Sequence, residues 1–437
     1  GFSMGGAGAW HLGAHYASAW ACVHTGAGFV DVKRYQKLTP EKLPPWYEQT
    51  LWGAYDVPVC ARNFFNVPLI SYSGELDSQR DSAEYMAEVL AQEDYKLIHL
   101  IGPGMGHKYH PNARDHVQAL VEEAVAKGRD PMPDKVVLQF RSARYGRQFW
   151  LECLEVERPW DDTRLEASIA STGVMTVATR NVTAFRVDAT VFRRFPSRPY
   201  TLQVDGSAVR FHDVAPDHPS YYAKKQKSGQ WAIATDATSN WPGTKAGGTC
   251  MEDVFLSRFI VVLPEGDSYS DAVTKWAASE SRHFLTRWRS LMRGDAVVKR
   301  ASEVTPEDMQ AAHLVLWGDA RSNALIARLL PKLPVTWTPD EVGVGTGPRS
   351  AKFPTASHTL LLGYPNPLAP HKRITINSGL TFREAHDKTN SLQNPKLPDW
   401  AILDLRQAPT AEAAGKVVAA DFFDTHWNLK TAAAPTR

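Results

Sequence analysis

A change of period along the chain limits most strongly how it can fold. From residue 1 to about 130, short apolar runs alternate with amphipathic ones. Residues 67–71 (VPLIS) and 96–101 (KLIHLI) read as strands. Residues 82–92 carry Tyr85, Met86, Val89 and Leu90 at helical spacing, and Pro111 opens a helix bearing Val117, Leu120, Val121 and Ala124. The small, apolar stretch 7–20 suits a helix packed tightly on a sheet. Such alternation predicts a mostly parallel sheet covered by helices.

After the polar, proline-containing break at 129–134 (RDPMPD) the helical period disappears. Runs 135–141, 148–154, 174–179 and 183–187 are short and β-rich, and Asp205-Gly206 between two such runs signals a hairpin. Residues 135–248 therefore read as an all-β, sandwich-like module, with few contacts expected across the link. Near residue 252 the alternation returns. Strands are expected at 259–263 (FIVVL), 313–317 (HLVLW) and 334–337, with helices over 271–292 and 323–330 between them. Later strands are expected at 359–362, 373–377, 401–405 and 416–420. The expected architecture is α/β with an all-β module inside it: a first α/β domain over 1–130, the β module over 135–248, a second α/β domain over 252–430, and a tail at 431–437.

Composition narrows the function classes. With 43% hydrophobic and 22% charged residues in 437, the chain can bury a large core and is not of the disordered type. Its 49 basic and 47 acidic residues leave a net charge of +2, which gives no general attraction to nucleic acid or a membrane surface. No apolar run approaches the roughly 18–20 residues that span a bilayer. Four dispersed cysteines without a CxxC pair exclude both a disulfide scaffold and a thiolate zinc cage.

The chemistry lies in the first third. Gly1-Phe2-Ser3-Met4-Gly5 fits G-x-S-x-G, the turn that aims a nucleophilic serine outward between a strand and a helix. Gly1 and Gly5 flank the serine where side chains would crowd the turn, and Gly6 and Gly8 let the helix approach the sheet. The backbone N–H of Met4 is placed to help hold an oxyanion. A serine needs a base, and the base needs an orienting acid. Gly74-Glu75-Leu76-Asp77 follows the first expected strand, and Gly106-His107 follows the second. Both loops lie at the carboxyl ends of parallel strands, where such sheets place their sites. Asp77 is preferred as the acid. Asp81, four residues on, sits at a helix start where a carboxylate favours the dipole, and Glu75 reads as a rim residue. Among the other histidines, His99 falls inside a strand, and His110 and His116 lie near or on the following helix.

These three motifs together resemble the prolyl oligopeptidase (S9-type) serine peptidases of the α/β-hydrolase superfamily, over residues 1 to about 128. The resemblance implies Ser3 as nucleophile, Asp77 as orienting acid and His107 as general base. It implies a peptide substrate, no metal or organic cofactor, and an extracytoplasmic location; the same machinery also fits a carboxylesterase acting on polysaccharide acyl groups. Residues 315–319 (VLWGD), 364–368 (YPNPL), 377–379 (NSG) and 398–400 (PDW) resemble the C-terminal half of large bacterial prolyl-oligopeptidase-like proteins. The chain opens inside the serine motif, and neither the strands that precede an elbow nor a β-propeller is visible in it. It therefore reads as the C-terminal piece of a longer protein, expected to be inactive alone, with the oligomeric state left open. A binding or scaffold protein with a vestigial site is the reading from a different class.

Three weaker signals complete the sequence. Fourteen tryptophans suggest carbohydrate stacking, but most lie in apolar runs and read as core. Residues 318–323 (GDARSN) join a strand to a helix start and read as a cap rather than an anion site. Residues 141–147 (RSARYGR) read as a solvated basic hairpin, and Glu252-Asp253 lacks the spaced partners of a metal site.

Overall fold

The computed structural model describes residues 1–194, 201–210, 220–234, 249–345 and 351–430. The protein is mixed α/β with several sheets, arranged as two compact units. The first comprises residues 1–43 and 52–234, the second 44–51 and 249–430. The expected tail 431–437 and the end of the expected β module, 235–248, lie outside the described residues.

The first unit starts with a helix, Met4–His15, whose buried residues are Gly6, Ala7, Trp10, Gly13, Ala14 and His15, four of them small. The helix rests on a three-stranded parallel sheet ordered β1 (Val23–Gly26), β2 (Leu69–Gly74), β3 (Ile98–Gly102). Gly6 is required there: a Cβ would lie 2.1 Å from the Gly26 carbonyl oxygen. At Gly8, expected to serve the same approach, a Cβ would meet nothing within 4 Å among the described residues, because that position faces away from the sheet. Helices Arg80–Ala91 and Pro111–Lys127 follow β2 and β3.

The strands β4 (Lys135–Phe140), β7 (Thr163–Ile169), β8 (Val174–Arg180), β10 (Thr201–Val204) and β11 (Ser207–Arg210) form one sheet of the β module. The second contains β5 (Arg147–Gln148), β6 (Leu151–Val156), β9 (Val182–Asp188), β12 (Ser220–Lys225) and β13 (Trp231–Ala234). Alternate residues of both sheets, among them Leu138, Leu165, Val177, Leu151, Phe185 and Val187, form one shared core. Pairing is antiparallel except for β8 with β10. The Asp205-Gly206 hairpin is present, with Val204 opposite Ser207.

The expectation of few contacts across the 129–134 link is overturned. Asn63, fully buried, donates to the carbonyls of Ala14 and Gln139 at 2.9 Å each and accepts from the Gln139 N–H at 2.7 Å. Asn66 pairs with Val137 in the same way, and Arg62 bonds both Glu93 and Glu166. The backbone groups of Val137 and Gln139 on the edge strand β4 are thus satisfied by the side chains of Asn66 and Asn63.

In the second unit, a seven-stranded sheet runs β15 (Val297–Arg300), β14 (Phe259–Leu263), β16 (His313–Leu316), β21 (Arg373–Ile376), β20 (His358–Pro365), β22 (Trp400–Asp404), β23 (Lys416–Asp421). The first four strands are parallel and the remaining pairings antiparallel. The helix Asp271–Met292 is capped by the Ser270 hydroxyl, which accepts from the Val273 N–H. The strand expected at 334–337 forms, but as β17 (Val335–Trp337) of a separate antiparallel sheet with β18 (Glu341–Val344) and β19 (Ala351–Pro354). Its place beside β16 is taken by β21, nearly forty residues further along the chain. No helix among the described residues is long and apolar enough to cross a membrane.

Candidate active site

Phe2 makes a parallel bridge to Gly26, the Ser3 N–H donates to the Gly26 carbonyl at 2.8 Å, and the helix begins at Met4. Ser3 therefore sits at the junction of an extended segment and a helix. Its backbone has φ 57° and ψ −120°, a conformation costing a non-glycine residue about 1–3 kcal/mol. Gly1 has the crowding expected of it, since a Cβ there would lie 2.2 Å from the Gly5 carbonyl oxygen. Gly5 does not: a Cβ at that position meets nothing within 4 Å among the described residues. The Met4 N–H belongs to the first turn of the helix, whose N–H groups have no partner within the helix.

His107 lies between Ser3 and Asp77. Its Nε2 is 2.8 Å from Ser3 Oγ, and its Nδ1 is 2.8 Å from Asp77 Oδ2. An ionised carboxylate only accepts, so Nδ1–H donates to Asp77, and the Nε2 lone pair faces the serine hydroxyl. The Asp77 side chain is 2% exposed, and its other oxygen accepts from the Gln79 N–H at 2.9 Å. Asp81 is turned away and is bonded to Arg34 at 2.7 Å. His99 bonds Ser73 Oγ at 3.0 Å within the sheet, and burial lowers its pKa. His110 is the residue before the helix Pro111–Lys127, and His116 is on that helix.

Several supporting residues escaped the sequence reading. Glu75 is more than a rim group: its carboxylate accepts from the Gly104 N–H at 2.7 Å, and the Glu75 N–H donates to the Gly102 carbonyl. The Leu76 N–H donates to the Met105 carbonyl at 2.8 Å, tying the acid loop to the histidine loop. The two loops approach this closely because residue 74 is glycine: a Cβ there would lie 2.1 Å from the Gly106 carbonyl oxygen. Below the histidine, the Tyr72 hydroxyl donates to the Lys108 carbonyl and accepts from the His110 N–H. The Tyr72 ring stacks on Tyr109 at 4.5 Å, and Tyr109 is bonded to His24 at 2.7 Å. The Phe2 ring lies 5.1 Å from the His107 ring. Their only sequence signal was position, on a strand end or beside the motifs.

Residues 319–323 and Glu252 have structural roles, whereas the basic segment 141–147 is a short turn at Ala143–Tyr145 between strands of different sheets and not the expected hairpin. Asp319 accepts from the N–H groups of Tyr269, Arg321 and Ser322, and Asn323 caps the helix Ala324–Leu329. Glu252 accepts from Thr381. Among the described residues, no group of three or more His, Cys, Asp or Glu side chains is gathered as a metal ion would require. None of the four cysteines is in a disulfide.

No protein-family model matches the chain, and no curated protein matches it.

Proposed function

We propose that the protein is a serine hydrolase of the α/β-hydrolase kind, resembling the prolyl oligopeptidases and acting on peptide bonds. The observation that carries this reading is the continuous relay Ser3–His107–Asp77, with 2.8 Å at each step, on a strained turn ahead of a helix. His107 takes the Ser3 proton as Oγ attacks the substrate carbonyl. Asp77 holds the tautomer and stabilises the imidazolium. The Met4 N–H donates to the oxyanion. His107 then protonates the leaving amine, and water releases the acyl group by the same steps in reverse. Peptide specificity rests on the three-motif resemblance, since a triad by itself serves amides and esters alike. Paired assays of the intact protein with short peptide p-nitroanilides and p-nitrophenyl esters test it. Turnover of anilides, lost in Ser3→Ala, is expected; turnover of esters alone would reassign the enzyme as an esterase, and turnover of neither would favour a vestigial site.

A further inference from the structure

A cavity of about 590 Å³ lies in the first unit, at the far end of the helix Met4–His15 from Ser3. None of the chemistry above uses it. It opens where the α/β part meets the β module, the kind of junction at which ligand pockets concentrate. The basic segment 141–147 supplies Arg144 and Arg147 to its lining, and the 129–134 link supplies Arg129.

The walls are tied to one another. Gln148, fully buried, accepts from the Ser18 N–H at 2.8 Å and donates to the His15 carbonyl at 3.0 Å, which fastens β5 to the end of the helix. Two residues on, the Trp150 Nε1–H donates to the Pro133 carbonyl at 2.9 Å. Phe149 stands between them, first in the two-residue turn that joins β5 to β6, with φ 47° where glycine is usual. Walls held in this way need little ordering when a ligand enters.

The donors of the lining face solvent. Arg129, Arg144 and Arg147 are all exposed. Arg129 Nη1 donates to the Ser18 carbonyl at 2.6 Å, which uses one of its five N–H groups, and Arg144 lies over the Tyr145 ring. Neither Arg129 nor Arg147 has a carboxylate partner among the described residues. Asp188 is the one acid of the lining among those residues, and its Oδ1 accepts from both the N–H and the hydroxyl of Thr190. His15, stacked on Tyr145, adds no charge, because burial lowers its pKa to about 3. Tyr16 is 43% exposed, its ring crossing that of Tyr145 at 82°, and gives the cavity an apolar surface that solvent reaches.

We infer that this cavity binds a phosphate monoester carrying a ring. The guanidinium fork matches phosphate oxygens bidentately. Two arginines without carboxylate partners balance a group that carries nearly two negative charges at neutral pH. The volume is about four times that of a cavity that holds benzene, which leaves room for a ring against Tyr16 and Phe149 beside the phosphate. The inference does not depend on the hydrolase reading.

Calorimetric titration of the intact protein at low salt with phenyl phosphate and adenosine monophosphate tests it, with inorganic phosphate and citrate as comparators. At least one of the two esters is expected to bind with a Kd near or below about 1 mM, and inorganic phosphate about tenfold more weakly for want of a ring. Arg147→Gln should weaken ester binding about tenfold. Arg114→Gln, which removes the same charge from an exposed position on the helix Pro111–Lys127, should leave it unchanged. Tyr16→Ala should weaken the esters and spare inorganic phosphate. Absence of binding by both esters at about 20 mM overturns the inference. So does an equal loss in the two arginine variants, or binding of citrate or inorganic phosphate as tight as that of either ester.

Discussion

Asp77 Oδ2 and His107 Nδ1 lie 2.8 Å apart, whereas Asp81, four residues beyond Asp77 and on the following helix, is held by Arg34. The aspartate that faces the histidine is therefore the one on the loop. Asp77→Asn should lower kcat by about 10⁴-fold, because the amide favours the wrong imidazole tautomer. Asp81→Asn should stay within about twofold, as exposed ion pairs contribute little. Steady-state kinetics on both variants decide the matter; a collapse in the Asp81 variant alone would reverse the assignment.

Gly74 and Gly106 look equivalent in the motifs and are not equivalent in space. A Cβ on Gly74 runs into the Gly106 carbonyl, while one on Gly106 meets nothing within 4 Å among the described residues. Gly74→Ala is expected to destabilise by about 1–3 kcal/mol and to displace the histidine loop. Activity should fall at least about 100-fold, in line with the cost of a 1 Å misplacement. Gly106→Ala should be close to neutral in both respects. Thermal melts and kcat on the same two preparations check this, and equal damage by both substitutions would contradict it.

Glu75→Gln keeps the shape of the loop clamp and removes its charge. The bond from the Gly104 N–H should persist in weakened form. A fall in kcat of about tenfold is expected, with KM little changed, since substrate is not what Glu75 touches. Faster hydrogen exchange at residues 103–107 should accompany it. Normal exchange there would place any loss of activity elsewhere.

The order of the three motifs, and the strands and helices that carry them, could be read from the sequence because they are local signals: glycine turns after apolar runs. What could not be read depends on distant partners. Strand β2 extends to Gly74, through Ser71 and Ser73, because those buried hydroxyls are satisfied by Thr25 and His99. Strand β1 is only four residues, VHTG, with no period to detect. The segment 334–337 is a strand, as its β-branched and aromatic residues require, but nothing local says which sheet receives it. Asn63 gives no hint in the sequence that it pairs with Gln139.

That Asn63 contact leads to a stability prediction. Asn63→Leu strands a buried N–H and two carbonyls, at about 1–3 kcal/mol for a group left unsatisfied. A loss of about 3 kcal/mol is expected in urea unfolding. A loss below about 0.5 kcal/mol would mean that the helix Met4–His15 and strand β4 do not depend on this side chain.

Buried histidines give the fold an acid limit. Burial pushes His11 down to about 4 and His15 to about 3, the latter helped by the nearby His11. The unfolded chain binds these protons near pH 6.5, the folded one only at much lower pH. Their contribution to stability is therefore complete above about pH 6.5 and is lost progressively as the pH falls toward 4 and then 3. The urea midpoint should drop over that window, and His15→Phe, which can keep the stacking on Tyr145, should flatten the slope. An unchanged slope in the variant would remove His15 from the explanation.

The most direct measurement on the central claim is active-site labelling. The intact protein is treated with a fluorophosphonate probe, and the modified peptide is identified by mass spectrometry. The account predicts one adduct, on Ser3, absent in Ser3→Ala and greatly slowed in His107→Ala. An unlabelled Ser3, or labelling that proceeds at the same rate without His107, would contradict it.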